Sequence, residues 1–229
     1  MFGYDPIEDQ YKVLAVDDWY WRGQHKVAVL GGGWRDVMCV ACPHMPHTMG
    51  LNMNGTLYYG ASRTDIDYPD NSIIMSFDVR HENFNIIKVP SKFVPVGFKN
   101  MWVATYWVRE QTDKTLINYG GKVGVVENPS DQGRFRLWVV EDAEREEWSM
   151  HTFLLPTGLD LKVMDTFSTG EICLVPNILS GGPLRLYYYN LEKESMRIVT
   201  IKEVNVSYFK KAGTSCVTVS DLYESFMFV

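Results

Sequence analysis

The sequence has no surplus of positive charge and no long apolar run, and each shortage excludes a class of protein. The formal net charge is −6 at pH 7, so the chain has no general attraction for phosphate backbones or anionic lipid. Nucleic acid and membrane surfaces are therefore poor candidates for its partner. An apolar, uncharged run lies between Glu171 and Arg185 and is broken by two prolines and a Gly-Gly pair. It is too short and too interrupted to span a bilayer.

A secretory signal is also missing, which bears on the redox state of the cysteines. The first ten residues, MFGYDPIEDQ, contain three acidic side chains and no apolar core. We therefore expect a soluble, intracellular protein of the cytoplasm or nucleus. In that compartment the four cysteines are expected to be reduced thiols; they are Cys39, Cys42, Cys173 and Cys216.

Motifs that would indicate an enzyme are lacking as well. The sequence contains no Ser/His/Asp set, no Walker loop and no zincin motif. The three glycines Gly31–Gly33 do not make the full G-x-G-x-x-G spacing, and no helical pattern follows them. A solvated turn explains the acidic cluster from Glu141 to Glu147 at least as well as a metal site or an acid/base site does. The sequence thus predicts a non-enzymatic protein with no catalytic residues and no cofactor.

One cluster of residues of metal-ligand type could contradict the prediction that the protein needs no cofactor. The segment Cys39-x-x-Cys42-x-His44-x-x-His47 holds four side chains of the kinds that zinc prefers. Structural zinc sites usually separate two ligand pairs by a loop of about a dozen residues, whereas here all four lie within nine residues with two prolines interposed. Simultaneous tetrahedral ligation would be strained. We interpret the segment as a Pro-rich loop and predict no metal site.

What the sequence does contain is a repeated hairpin. An aromatic or apolar residue, an Asp or Asn, about five residues and a large apolar residue recur four times. Recurrence at the same place in each repeat indicates that the Asp or Asn caps turn amides and is not catalytic. The four copies begin at Tyr4-Asp5, Phe77-Asp78, Val140-Asp142 and Tyr189-Asn190.

A second hairpin, with glycine in its turn, precedes three of the copies. Asn54-Gly55 is a strong two-residue hairpin signal, because both central positions need positive φ. The other two glycine turns are Gly120-Gly121 and Thr169-Gly170. From the glycine to the next Asp or Asn the distance is 20 to 23 residues. Each unit is therefore a glycine-turn hairpin followed by an Asp-turn hairpin.

Repeated units of four antiparallel strands are typical of β-propeller blades. The predicted fold class is all-β, Kelch-like and β-propeller-related, and incomplete at the N-terminus because only Met1–Gly3 precede Tyr4. We expect strand Tyr11–Val16 to lack its partner and to leave an exposed edge. Residues 1–206 are predicted to form one domain. Residues 207–229 are a last strand or a tail of it.

Exposed aromatic side chains are the best candidates for partner binding, because Trp and Tyr dominate interface hot spots. Trp34, Trp102 and Trp107 are the leading candidates, and Arg35 and His47 are added to this set. The stripe Met101–Val108 alternates with a period of two, which is also typical of a half-buried strand.

Several ordered segments together resemble a known family, the F-box-associated domain (type 3) of plant F-box proteins, over about residues 3 to 200. The resemblance implies a Kelch-like β domain that binds the target protein of an SCF-type cullin ubiquitin ligase, while a helical F-box docks the ligase adaptor. No F-box is evident in this sequence, so we expect no adaptor binding by these residues alone and regard the domain as truncated. The matching segments include Gly3–Leu14, Asn54–Tyr59, Ile73–Pro90, Phe135–Ala143 and Tyr188–Glu192.

Two functional hypotheses follow. The first is a non-enzymatic protein-interaction domain whose target the sequence does not name. The alternative is a small-molecule or carbohydrate-binding domain, or an enzyme, on a propeller-like scaffold, since such folds host many functions. A convergent set of polar residues at one end of the repeated units would favour the alternative, and the sequence offers none.

Overall fold

The structure is a computed structural model that describes residues 1–16, 24–66, 71–90, 114–127, 129, 133–156, 158–166, 170–176 and 183–205. Within these residues all regular structure is β-strand, and the strands form four antiparallel sheets. No helix long and apolar enough to cross a bilayer occurs in this part of the chain. The predictions for Trp102, Trp107 and the segment 207–229 lie outside the described residues.

The first two sheets are built from residues 2–88. The first sheet has the order β1 (Phe2–Asp5), β2 (Gln10–Val16), β3 (His25–Val29) and β4 (Trp34–Val37). The second has the order β5 (His44–Pro46), β7 (Thr56–Arg63), β8 (Ser72–Asp78) and β9 (Phe84–Lys88), with β6 (Leu51–Met53) also paired to β7. The turn Asn54-Gly55 joins β6 to β7 with both residues at positive φ, as predicted.

The other two sheets follow the predicted unit. The third has the order β10 (Lys114–Tyr119), β11 (Lys122–Glu127), β12 (Arg134–Asp142) and β13 (Glu147–Leu154). The fourth has the order β14 (Leu161–Thr166), β15 (Glu171–Pro176), β16 (Pro183–Asn190) and β17 (Ser195–Asn205). In both sheets the glycine turn joins the first two strands and the Asp or Asn turn joins the last two. The all-β class built from antiparallel four-stranded units is confirmed.

The expectation that Tyr11–Val16 lacks a partner was wrong. Phe2 pairs with Val13 and Asp5 with Gln10, so β1 covers one side of β2, while β3 covers the other. The error lay in counting only Met1–Gly3 as available for a first strand, since Tyr4 and Asp5 also belong to that strand. The first sheet therefore has four strands, but its Asp-turn hairpin comes first in the sheet and not last.

The four Asp or Asn turns share one geometry. The side-chain oxygen of the Asp or Asn accepts hydrogen bonds from the backbone amides two and three residues later. For Asp78 these amides belong to Arg80 and His81, at 2.9 and 2.8 Å. The same pair of bonds is made by Asp5, Asp142 and Asn190. The prediction that these side chains cap turn amides is confirmed.

Each of these turns also places an acidic residue in the left-handed region, four positions after the capping residue. The residues are Asp9, Glu82, Glu146 and Glu194, with φ between 48° and 59°. This conformation costs a non-glycine residue about 1 kcal/mol. The turn geometry imposes it in every repeat.

By contact density the chain divides into two units, residues 1–112 with 140–148, and residues 113–139 with 149–229. In the first, Leu14 and Val27 from one sheet pack in the same buried cluster as Tyr59 and Phe77 from the next. In the second, the largest buried cluster is formed around Phe135, Leu137, Phe153, Leu174 and Tyr189. Strands β2 and β7 alternate more and less buried side chains over most of their length, whereas β11 and β15 each contain four consecutive buried residues.

Candidate functional site

Trp34 and Arg35 lie on β4, the last strand of the first sheet. Trp34 is opposite Ala28 and Arg35 is opposite Val27 in the pairing with β3. The Trp34 side chain is 56% exposed, which is unusual for so large an apolar group. Three further apolar side chains in the same stretch of chain are exposed, those of Leu30, Met38 and Val40. Residues 30–40 therefore present several exposed apolar side chains.

Arg35 forms an ion pair with Glu82, which also binds Lys12. Its Nη2 donates to Glu82 Oε1, which also accepts from Lys12 Nζ at 2.9 Å. The Lys12 and Glu82 side chains are only 7% and 10% exposed, whereas that of Arg35 is 53% exposed. Burial alone would raise the pKa of Glu82, but the hydrogen bonds from Arg35 and Lys12 outweigh it and leave the pKa below its ordinary value.

His47 is half-buried and differs in this from Trp34. Its Nε2 lies 2.8 Å from Ser62 Oγ on β7. Burial lowers the pKa of His47 to about 4, so the ring is neutral at pH 7. Of the residues that the sequence singled out for partner binding, Trp34 and Arg35 are consecutive on β4, where successive side chains point to opposite faces of the sheet. His47 lies on the segment that follows β5.

A second candidate site lies inside the first unit. His25 on β3 and His44 on β5 are 3% and 4% exposed, and their Nε2 atoms are 3.3 Å apart. The Cys39 thiol joins them from the segment that follows β4, and the three ligand atoms all lie within 4.8 Å of one another. The hydroxyl of the fully buried Tyr59 lies 2.8 Å from His44 Nε2.

The tautomer of His44 follows from its other nitrogen. His44 Nδ1 lies 3.0 Å from the Cys42 backbone carbonyl oxygen. A carbonyl can only accept, so Nδ1 carries the hydrogen and Nε2 presents a lone pair toward His25 and Tyr59. Burial lowers the pKa of His44, which favours this neutral form. The Cys42 carbonyl also accepts from the Cys39 thiol at 3.6 Å.

The structure thus separates the four residues that the sequence considered as one zinc motif. Cys39 and His44 meet His25, while His47 pairs with Ser62 and is not part of the group. Cys42 contributes its carbonyl, and burial raises the pKa of its thiol to about 11. Among the described residues, His25, Cys39 and His44 form the group able to hold a metal ion.

Sequence reasoning missed His25 because it lies 14 residues before Cys39 and on a different strand. The local signal that was available is the alternation of His25-Lys26-Val27, which places His25 and Val27 on one face of β3. That alternation shows that the ring is buried but does not show what it meets.

Comparison with known proteins gives relatives over nearly the whole chain. The family model described as F-box associated beta propeller domain matches residues 1–223. The F-box protein At3g47150 of Arabidopsis thaliana is 48% identical over 215 residues, which cover 92% of this chain and 51% of the relative. The F-box proteins At5g65850 and DOR, from the same plant, are 35% and 36% identical, each over 88% of this chain and 50% of the relative. The chain spans about half the length of these curated relatives.

Proposed function

The chain belongs to the F-box associated beta propeller domain family, and from this premise we propose that it is the target-binding part of an SCF-type ubiquitin ligase. In this role the domain binds a target protein and performs no catalysis itself. The relatives named above are all described as F-box proteins. None is described as an enzyme or a carbohydrate-binding protein, so the small-molecule alternative is not favoured.

The observation that carries the proposal is the exposure of Trp34 on an edge strand. Tryptophan is the residue type most enriched among interface hot spots, where its burial against a partner accounts for much of the binding free energy. Arg35 lies on the same strand, and its guanidinium is bound by Glu82. Arginine is also enriched among interface hot spots. Trp102, Trp107 and His47 are further candidates for partner binding.

The test is capture of a target from a plant extract by the tagged chain, followed by measurement of affinity for the purified target. Trp34→Ala is compared with Leu154→Ala, which removes an exposed apolar side chain from β13 of the other unit. We expect Trp34→Ala to weaken binding by roughly 30-fold, as for a hot spot worth about 2 kcal/mol. The Leu154→Ala variant should bind as the original chain does. Equal binding by all three proteins would remove Trp34 from the proposal.

Adaptor binding is the second part of the proposal. The family resemblance assigns adaptor docking to a helical F-box, and the described residues are all β-strands and turns. We propose that residues 1–229 alone do not bind the adaptor and hold only the target. The experiment is co-purification with the adaptor, run beside a version extended by the F-box of a relative. Equal adaptor recovery with the unextended chain would contradict this division of roles.

A further inference from the structure

We propose that His25, Cys39 and His44 bind one zinc ion, which links the first sheet, the segment after β4 and the second sheet within the first unit. The three side chains come from three separate pieces of chain. Nothing in the family resemblance assigns a metal to them, and the site does not depend on the target-binding role proposed above.

The spacing of the ligand atoms is the first argument. Zinc binds histidine nitrogen at about 2.0–2.1 Å in tetrahedral geometry, which places two nitrogen ligands about 3.3 Å from each other. The Nε2 atoms of His25 and His44 are 3.3 Å apart. The two rings therefore already stand at the separation that a shared zinc ion requires. The thiol lies within 4.8 Å of both nitrogens, so a small side-chain movement of Cys39 completes a three-ligand set.

The protonation pattern is the second argument. His44 Nε2 has one lone pair, yet two polar atoms approach it, Tyr59 Oη at 2.8 Å and His25 Nε2 at 3.3 Å. Only one of them can donate a good hydrogen bond to that lone pair. A zinc ion removes the conflict, because each nitrogen then directs its lone pair at the metal.

The support around the ligands is the third argument. Histidine ligands of metals usually donate their second ring hydrogen to a carbonyl or carboxylate, which fixes the ring. His44 Nδ1 makes such a bond to the Cys42 carbonyl. The same carbonyl holds the Cys39 thiol. One backbone group therefore orients two of the three ligands before any metal arrives.

The residue types select the metal. Two imidazole nitrogens and one thiolate match zinc, which accepts both ligand kinds and has no redox chemistry. Binding displaces the Cys39 thiol proton to solvent, so the thiolate and two neutral rings leave a net charge of +1 at the site. Cys39 is partly exposed, whereas both rings are buried. Its side gives the ion an entry path.

The local alternative is zinc held by the sequence motif itself. In that case His47 would be a ligand and His25 would not. The structure favours the set with His25, because the His47 ring is bonded to Ser62. His25→Gln and His47→Gln therefore form a matched pair that distinguishes the two sets. Cys39→Ser, at a partly exposed position, gives a third variant that should keep its fold.

The experiment measures metal content and cobalt spectra of the full 229-residue chain. Chain stripped with a chelator is titrated with Zn²⁺ alone, and then with Co²⁺, whose thiolate charge-transfer band reports cysteine ligation. We expect one zinc per chain, a thiolate–cobalt band, and a thermal midpoint that rises with zinc. Cys39→Ser and His25→Gln should each weaken zinc binding by at least about 100-fold. Circular dichroism on each variant confirms that the β-structure is kept.

His47→Gln is the control and should bind zinc as the original chain does. Three results would overturn the proposal. They are less than stoichiometric zinc in the original chain, a cobalt spectrum without the thiolate band, and loss of binding in His47→Gln with retention in His25→Gln. If His25→Gln fails to fold, the cobalt spectrum of Cys39→Ser still decides between a thiolate-ligated site and none.

Discussion

The turn after β8 and the turn after β16 have the same backbone geometry but different surroundings. In both, the capping side chain binds two backbone amides, and the acidic residue four positions later adopts positive φ, 59° at Glu82 and 48° at Glu194. The Glu82 side chain is only 10% exposed and is bound to Lys12 and Arg35, whereas Glu194 is exposed. The repeat therefore fixes the backbone, and the neighbouring sheet decides what the side chain does.

This difference changes what the left-handed residue contributes to stability. At Glu194 the left-handed conformation costs about 1 kcal/mol and only closes the turn. At Glu82 the same conformation aims a carboxylate at a buried lysine from the first sheet, 70 positions earlier in sequence. The ion pairs there offset the cost of the conformation. Substitutions at the two positions should consequently have opposite or very unequal effects.

The largest expected effect is that of Glu82→Gln. The change leaves the Lys12 ammonium buried without its carboxylate, and breaking a buried pair on one side costs about 3 kcal/mol. Urea denaturation at pH 7 should show a loss of free energy of unfolding of this size. Glu194→Gln, at the equivalent position of the other turn, should stay within about 0.5 kcal/mol of the original chain. Similar losses in both variants would mean that the turns do not differ as described.

The next effect in size concerns the cap itself. Asp78→Ala removes the acceptor of two backbone hydrogen bonds, which should cost about 2 kcal/mol. Asp78→Asn should lose far less, because Asn190 makes the same two bonds in the fourth sheet. Urea denaturation of the two variants measures the difference. If Asn proved as harmful as Ala, the charge of Asp78 and not its turn bonds would be the stabilising feature.

Part of the Glu82 effect depends on pH. The folded pKa of Glu82 is lowered, so its contribution to stability is present above the ordinary glutamate range and is lost as the pH falls toward the folded pKa. The free energy of unfolding of the original chain should therefore fall more steeply between about pH 5 and pH 3 than that of Glu82→Gln. Parallel curves for the two proteins would contradict the direction of this shift.

The smallest effect is a stabilisation. Glycine has no Cβ and adopts positive φ without strain, although it loses more entropy on folding. Glu194→Gly should therefore raise the free energy of unfolding by about 0.5 kcal/mol. Glu82→Gly gains the same relief but loses the ion pairs, so it should be clearly destabilising. Thermal denaturation of both variants is a direct comparison, and a stabilised Glu82→Gly would show that the buried network contributes little.

The features that the sequence could predict are those carried by local, repeated patterns. The all-β class and the capping role of Asp78 follow from residue types at a fixed spacing, and the structure confirms both. What could not be predicted depends on which strands become neighbours. Glu82 meets Lys12, and His25 meets His44, only because β2 and β3 of the first sheet lie against the second sheet in one core. Neither contact can be recognised from the local pattern of apolar and polar residues.

The first sheet shows a second limit of prediction from sequence, the placement of strand boundaries. The prediction allowed only Met1–Gly3 for a first strand, which is too short, whereas β1 extends through Asp5. Element boundaries are the part of a pattern-based prediction most sensitive to one or two residues. The pairing of β2 was therefore wrong although the hairpin itself was correctly recognised.

The Cys42 carbonyl has a consequence for how the segment between β4 and β5 tolerates change. A main-chain oxygen that receives both the His44 ring and the Cys39 thiol is present whatever side chain stands at position 42. Replacing the side chain at position 42 would therefore leave the group intact and make that position look dispensable, provided that the replacement is small and apolar. Removing one residue between Cys39 and His44 would instead shift the oxygen away from both. The constraint here is on length, and it would be visible in deletions but not in substitutions.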